Sequence, residues 1–415
     1  MFRQQAGMLI WEMNGETLCV EPWGRDSLRL RATRGPAVLD TSWALLPPKP
    51  TQPVIELDAE RATLRNGDIT AEMAANGRLR FLKTSTGAAL LEETAPGHFF
   101  VPPARQYTAL SSDLFRAEAR FTAYEGERIY GLGQHKHGFL DQKGCVITLD
   151  QRNTEVSIPF LLSSRGYGFL WHNPAVGRVE LGVNGTHWVA EASRQIDYWI
   201  TAAPTPAGIL ERYVDATGHA PLLPAFASGF WQCKLRYHTQ EELLSVAREY
   251  KRRGLPLSVI VIDFLHWPQF GDWKLDAAAW PDPAAMVREL QEMGVTLMVS
   301  IWPSVHRESV NYETMDKQGL LIGSERGLPF QAPFIDPASG RLIPLQNYDA
   351  TNPAARWFLW DKVRENYYRY GIKVWWLDAC EPEQAPIHHE NLRYFLGNGM
   401  EVGCIYPMLH EHPCR

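Results

Sequence analysis

Several things are scarce in this chain, and each scarcity excludes a class. No apolar run approaches the about 18 residues that cross a bilayer, so no transmembrane helix is read. The start, MFRQQAGMLIWEMNGE, has only a short apolar part before it meets Glu12 and Glu16, unlike a secretory signal. Cysteine is sparse, six in 415 residues, and no two stand in a CxxC pair. Cys19, Cys145, Cys233, Cys380, Cys404 and Cys414 are therefore expected as reduced thiols, not as a disulfide framework or a zinc site. The expected location is cytoplasmic. No Lys/Arg run interleaves with aromatics and the net charge is −6, which argues against a nucleic-acid partner. Phosphate-loop, GxSxG and kinase motifs are missing, and no cofactor is expected.

What is plentiful is tryptophan, with 15 residues in a chain that is 45% hydrophobic and 21% charged. Large cores need large side chains, and that accounts for most of them; flat indole faces also suit sugar C–H surfaces. The length fits two or three domains.

From Met1 to about Ala220 the pattern is β. Short alternating runs recur at Thr17–Val20, Ser27–Arg31, Arg78–Leu82, Val146–Leu149 and Arg178–Val183. Asn66-Gly67-Asp68, Asn76-Gly77 and Asn184-Gly185 mark turns, and the whole reads as an antiparallel sandwich. A short amphipathic helix is predicted over Pro206–Thr217. Pro221-Leu222-Leu223-Pro224 marks a boundary, giving domains 1–220 and 221–415.

After the boundary, strand and helix alternate. Strands are predicted at Gly229–Lys234, Leu257–Asp263, Val295–Ile301 and Ile372–Leu377. Helices are predicted at Thr239–Arg253, Asp282–Met293 and Asn352–Tyr370, each with a capping residue at its start. Right-handed strand–helix units imply a parallel α/β sheet or barrel. In a barrel the C-terminal strand ends share one face, which gathers Asp263, Trp302 and Asp378 there.

The most informative stretch is Lys373–Gln384, KVWWLDACEPEQ. An apolar strand delivers Asp378 at its tip, followed by Glu381 and Glu383. Asp378 with Glu381 also has the spacing of a simple capping pair, but the doubled Trp and Pro382 argue for a shaped pocket. Asp263 ends VIVID and reads equally as a cap; Phe264, His266, Trp267, Phe270 and Trp273 follow it as the wall of a cleft or the cover of a core edge. His135 and His137 form a His-x-His pair that a zinc hydrolase would use, but no further ligand cluster follows, and no metal is expected. His410-Glu411-His412 is expected to be solvated. Two carboxylates on an aromatic-walled barrel face suit glycosidic bond cleavage, in which one carboxylate attacks the sugar and another protonates the leaving oxygen.

These pieces, in this order, resemble glycoside hydrolase family 31, the α-glucosidase and α-xylosidase family. YGLGQHKHGFLDQKG (Tyr130–Gly144) and Asp150–Asn173 resemble its N-terminal sandwich and active-site loop. GFWQCKLRYHTQEEL (Gly229–Leu243), Val259–Pro283, VSIWPSV (Val299–Val305) and YDATNPAAR (Tyr348–Arg356) resemble the first half of its (β/α)8 TIM barrel. WWLDACEPE resembles its nucleophile motif. The resemblance implies a retaining exo-acting α-glycoside hydrolase, α-xylosidase-like, with an α-glucosidase as the alternative. Asp378 matches the nucleophile, with Glu381 supporting it. Asp263, Phe264, Trp302, Trp376 and Trp231 fall in the sugar pocket, and Gln151 and Asn153 in the sandwich loop. Crowding by Phe264 and Trp376 where a hexose C6 group would sit favours xylose. The expected partner is an oligosaccharide or small α-glycoside; self-association of the full-length form is left open.

One part of the pattern is not found. The family's general acid/base lies downstream of the nucleophile, and no match precedes Arg415. Only 191 residues (415 − 224) follow Pro224, against the about 250 of a closed barrel. The expectation is a C-terminally truncated member holding about half a barrel. An inactive carbohydrate-binding fragment is the second reading, and a zinc hydrolase built on His135 and His137 the third.

Overall fold

A computed structural model describes residues 1–95, 102–327, 332–336, 339–381 and 389–411. The chain forms two compact units, Met1–Ala220 and Pro221–Arg415.

The first unit is antiparallel β. An eight-stranded sheet runs from Phe2–Gln5 through Ser27–Thr33 and Ile196–Ala202 to Ile129–Gln134, and two five-stranded sheets accompany it. One core joins all three, with Leu28, Leu30 and Phe169 from the large sheet, Leu64 and Phe81 from one small sheet, and Phe121 and Trp188 from the other. Edge-to-face contacts link them: Phe121 to Phe169 at 5.6 Å and Phe81 to Tyr198 at 6.1 Å. Ser27–Thr33 and Ile196–Ala202 are buried at every position, not alternately. Their second face is covered in part by the helix Pro206–Thr217, whose Tyr213 stacks on Phe160 at 4.0 Å. The glycines of YGLGQ have a backbone reason. Ile129–Gln134 bulges between Gly131 and Gly133, and a Cβ at Gly133 would meet the Val156 carbonyl at 1.9 Å.

The second unit holds four parallel strands, Trp231–Gln232, Val259–Ile262, Thr296–Ile301 and Val374–Leu377. Their spatial order is their chain order, as in a barrel and unlike a doubly wound sheet, whose order reverses. The helices Gln240–Arg252, Pro283–Glu292 and Pro353–Asn366 are capped by Thr239, Asp282 and Asn352, whose side chains accept from Glu242, Ala285 and Ala354 N–H. The last two carry proline in the first turn, where no N–H is needed.

Three expectations need correction. The first strand is two residues long instead of six, because a 3₁₀ turn at Ala225–Ser228 takes the chain up to Gly229. The third helix stops at Asn366; Tyr368–Tyr370 is a separate 3₁₀ turn before Gly371 at φ 95°. His410 is not solvated. It is 1% exposed on the helix Tyr406–Glu411, with its ring stacked on Tyr406 and its Nδ1 bonded to the Tyr348 hydroxyl; His412 lies outside the described residues. Between the third strand and its helix the structure inserts a three-stranded antiparallel sheet, Ser304–His306, Leu342–Asn347 and Ala332–Ile335, which the sequence reading does not contain.

Candidate active site

Strand register builds this site. Residues paired across parallel strands point to the same face. Trp231 pairs with Val259, Val259 with Thr296, and Met298 with Val374. Counting by twos along each strand puts Trp231, Cys233, Asp263, Ser300, Trp302, Trp376 and Asp378 on one face. The opposite face carries Ile260, Ile262, Leu297, Val299 and Ile301, all buried, with Trp375 edge-on to Tyr367 of the helix layer. The doubled tryptophan is thus divided: Trp375 packs outward, and Trp376, 37% exposed, looks inward.

Asp378 continues the ladder, its N–H donating to the Ile301 carbonyl at 3.0 Å. Its Oδ2 accepts from Trp302 Nε1 at 3.0 Å, and its Oδ1 from the Ala379 N–H at 2.9 Å. Ala379 sits at φ 54°, a left-handed conformation that costs a non-glycine residue about 1–3 kcal/mol. The carboxylate is aimed by this turn. Asp378 is not a helix cap here, since no helix begins among the described residues 379–381.

Asp263, 7% exposed, is held in a similar way. Its Oδ1 accepts from the Phe264 N–H at 2.7 Å, and Cys233 Sγ approaches Oδ2 at 3.9 Å. Two residues on, Leu265 is also left-handed, at φ 64°. Burial raises the Asp263 pKa, and the charge of Asp378 adds to the rise. His266 locks the loop behind it. Nδ1 lies 2.9 Å from the Asp263 carbonyl, which can only accept, so Nδ1 carries the proton and Nε2 accepts from the Tyr367 hydroxyl at 2.9 Å. Burial lowers the His266 pKa to about 4, so the ring is neutral.

The aromatics divide by role. Phe264 stacks on Trp302 at 5.1 Å and 12°. Trp273 donates from Nε1 to the Trp302 carbonyl at 2.9 Å. Phe334, from the inserted sheet, meets the Trp302 ring edge-on at 5.5 Å. Trp231 is 38% exposed, with Nε1 donating to the Ala227 carbonyl at 3.2 Å. Glu381 is half-buried, three residues beyond Asp378. Gln151 and Asn153 belong to the first unit. The Gln151 amide both donates to and accepts from the Ser157 backbone, at 2.8 and 3.2 Å, and Asn153 is exposed.

Cys233 and Phe334 were not legible as site residues. A cysteine two positions beyond Trp231 carries no motif, and Phe334 arrives from a sheet with no strand signal. His135 and His137 spend ring nitrogens on backbone, His135 Nε2 at 2.8 Å from the Leu132 carbonyl and His137 Nδ1 accepting from the Phe139 N–H at 3.0 Å. No group of three or more metal-binding side chains occurs among the described residues, and no described helix is long and apolar enough to cross a membrane.

A sheet-rich domain ahead of a β/α-barrel domain, with two carboxylates and indoles on the barrel's inner face, has the layout of a glycoside hydrolase. Residues 220–413 match the glycosyl hydrolase family 31 TIM-barrel domain, and residues 17–180 the family 31 N-terminal galactose mutarotase-like domain. An uncharacterized family 31 glucosidase from Pseudescherichia vulneris is 43% identical, over 97% of this chain and 78% of its own length. Alpha-xylosidase A of Aspergillus niger is 34% identical, over 95% of this chain and 58% of its own. The crystal structure of a family 31 α-xylosidase from a soil metagenome, complexed with xylose, superposes with a TM-score of 0.95 at 45% identity; it covers all of this chain, which spans 62% of that one. The chain belongs to glycoside hydrolase family 31.

Proposed function

We propose that this protein acts in retaining, exo-type hydrolysis of terminal α-linked sugars, with an α-xyloside as its substrate. The observation that carries the reading is the pinned carboxylate of Asp378, with one oxygen on an indole N–H and the other on a backbone N–H, beside Asp263 on the same face. Neither carboxylate has a cation partner among the described salt bridges, so their charge is available to a sugar. In this reading Asp378 is the nucleophile: its oxygen bonds to the anomeric carbon as the glycosidic C–O bond breaks and the aglycone oxygen leaves with the electron pair, and water then cleaves the glycosyl ester. Asp263 accepts hydrogen bonds from sugar hydroxyls; Trp376 and Trp231 offer indole faces, Phe264 and Trp302 form the pocket wall, and Glu381 supports the nucleophile's turn. Xylose is preferred because the relatives reported above include α-xylosidases and because Phe264 and Trp376 narrow the room for a C6 hydroxymethyl group. Such crowding discriminates by about 1–3 kcal/mol.

The test uses leaving groups that need no proton. A 5-fluoro α-xylosyl fluoride, incubated with the 415-residue chain, is expected to label Asp378 as a glycosyl ester, read by peptide mass mapping. Labelling at another residue, or none, overturns the assignment. Faster p-nitrophenol release from the α-glucoside than from the α-xyloside would make the protein an α-glucosidase instead.

A further inference from the structure

We infer that Phe334, on the inserted sheet, is a positioning residue for the nucleophile and acts through Trp302. This rests on the reading of Asp378 given above. The route is short and continuous. Trp302 Nε1 donates to Asp378 Oδ2 at 3.0 Å while the Ala379 N–H holds Oδ1 at 2.9 Å, so the indole fixes one of the two anchored oxygens. An indole ring turns about two side-chain torsions, and something must stop it. Phe264 stacks on one face, 5.1 Å away and 12° from parallel. Phe334 packs edge-on at 5.5 Å and 83°, from a strand that belongs to neither the barrel sheet nor its helices. Phe270 backs both, 5.3 Å from Phe334 and 5.9 Å from Trp302. Trp302, Phe264 and Phe334 pack on one cluster with Trp267, Phe270, Leu345 and Ile343, the last two also from the inserted sheet.

The brace has two sides of different origin. Phe264 is on the loop that follows Asp263 and moves with the sugar-binding carboxylate. Phe334 and Ile343 are supplied by a separate sheet, anchored to the third strand's extension by the pairing of Ser304 with Asn347. Truncating Phe334 removes one wall and leaves the N–H donor in place. The indole then samples other angles, and the carboxylate loses its fixed attack geometry while the sugar contacts persist. Misplacing a reacting group by about 1 Å costs on the order of 10²-fold in rate. The loss belongs to the covalent step, in which the Asp378 oxygen bonds to the anomeric carbon, the C–F bond of the reagent breaks and fluoride leaves with the electron pair.

The experiment measures the rate constant and the concentration dependence of Asp378 labelling by the 5-fluoro α-xylosyl fluoride in four forms: wild type, F334A, F334Y and W302F. F334A is expected to lower the maximal labelling rate about 10-fold or more with the half-saturating concentration within about twofold. F334Y, which keeps the ring, restores the rate. W302F, which keeps a ring but removes the donor, loses at least as much rate as F334A. Thermal melts of each form separate these effects from unfolding, and F334L replaces F334A if the latter melts below the assay temperature. Equal maximal rates in F334A, F334L and wild type overturn the positioning role and leave the nucleophile assignment standing. Failure of the wild type to label at Asp378 overturns both.

Discussion

Both units hold carboxylates partly or wholly out of water, but they satisfy them differently. In the sandwich, Asp197 is bridged by Arg29, at 2.7 and 3.0 Å, and Glu93 by Arg105, which also reaches Glu16. Each pair is almost wholly out of water. In the barrel sheet, Asp263 and Asp378 are held by backbone N–H groups, an indole and a thiol, and no described cation pairs with them. A carboxylate matched to an arginine is satisfied and inert. One held by neutral donors keeps its negative charge unmatched and open to an electron-poor carbon or a hydroxyl. The first arrangement serves the fold; in the proposed reading the second leaves charge for a substrate to meet.

The contrast can be broken most decisively at Asp378. D378N is expected to lower turnover of an activated α-xyloside by at least about 10³-fold, while the denaturation midpoint stays the same or rises, because a half-buried charge with no described cation partner is removed. A large fall in stability would make Asp378 a structural residue and erase the distinction. R105A is the opposite case. It strands Glu93 and Glu16 without a cation and is expected to cost about 3–5 kcal/mol by denaturant titration. A loss below about 1 kcal/mol would show that burial of the pair is incomplete.

Acid acts on both units by the same physics. Burial holds His266 and His410 at a pKa of about 4 and, with Arg29 and Arg31 adding, His172 at about 3. An unfolded histidine titrates near pH 6.5, so the unfolded chain binds these protons more readily. Stability is therefore full above about pH 6.5 and falls as pH drops toward 4, by about 2 kcal/mol per histidine at pH 5. Denaturant midpoints at pH 7.5 and 5.0 check this, and a flat profile would contradict the buried neutral rings. The smallest effect is expected at Arg248, which pairs with Glu289 and Glu241 on an exposed helix face. R248A should change stability by less than about 1 kcal/mol, since solvent screens the pair; a larger loss would mean that surface pairs also support the barrel unit.

Much of this was readable from local pattern. The helix Pro206–Thr217, the capped helices after Thr239, Asp282 and Asn352, and the runs ending at Asp263 and Asp378 follow from caps, prolines and β-branched runs. The inserted sheet was not readable, because Ala332–Ile335 and Leu342–Asn347 contain prolines and lack alternation. Burial of His410 was not readable either, because a short His-Glu-His string looks polar, and only packing on Tyr348 and Tyr406 hides the ring.

At the site itself the division is sharper. The sequence alone determined that two carboxylates end two parallel strands and that aromatics surround them, since strand periodicity and chain order are local properties. The tertiary structure decided which tryptophan of Trp375-Trp376 faces inward, that Phe264 braces Trp302 instead of standing free, and that Ala379 takes a left-handed turn. Register between strands, and contacts between segments far apart in the chain, set these, and no pattern within one segment encodes them.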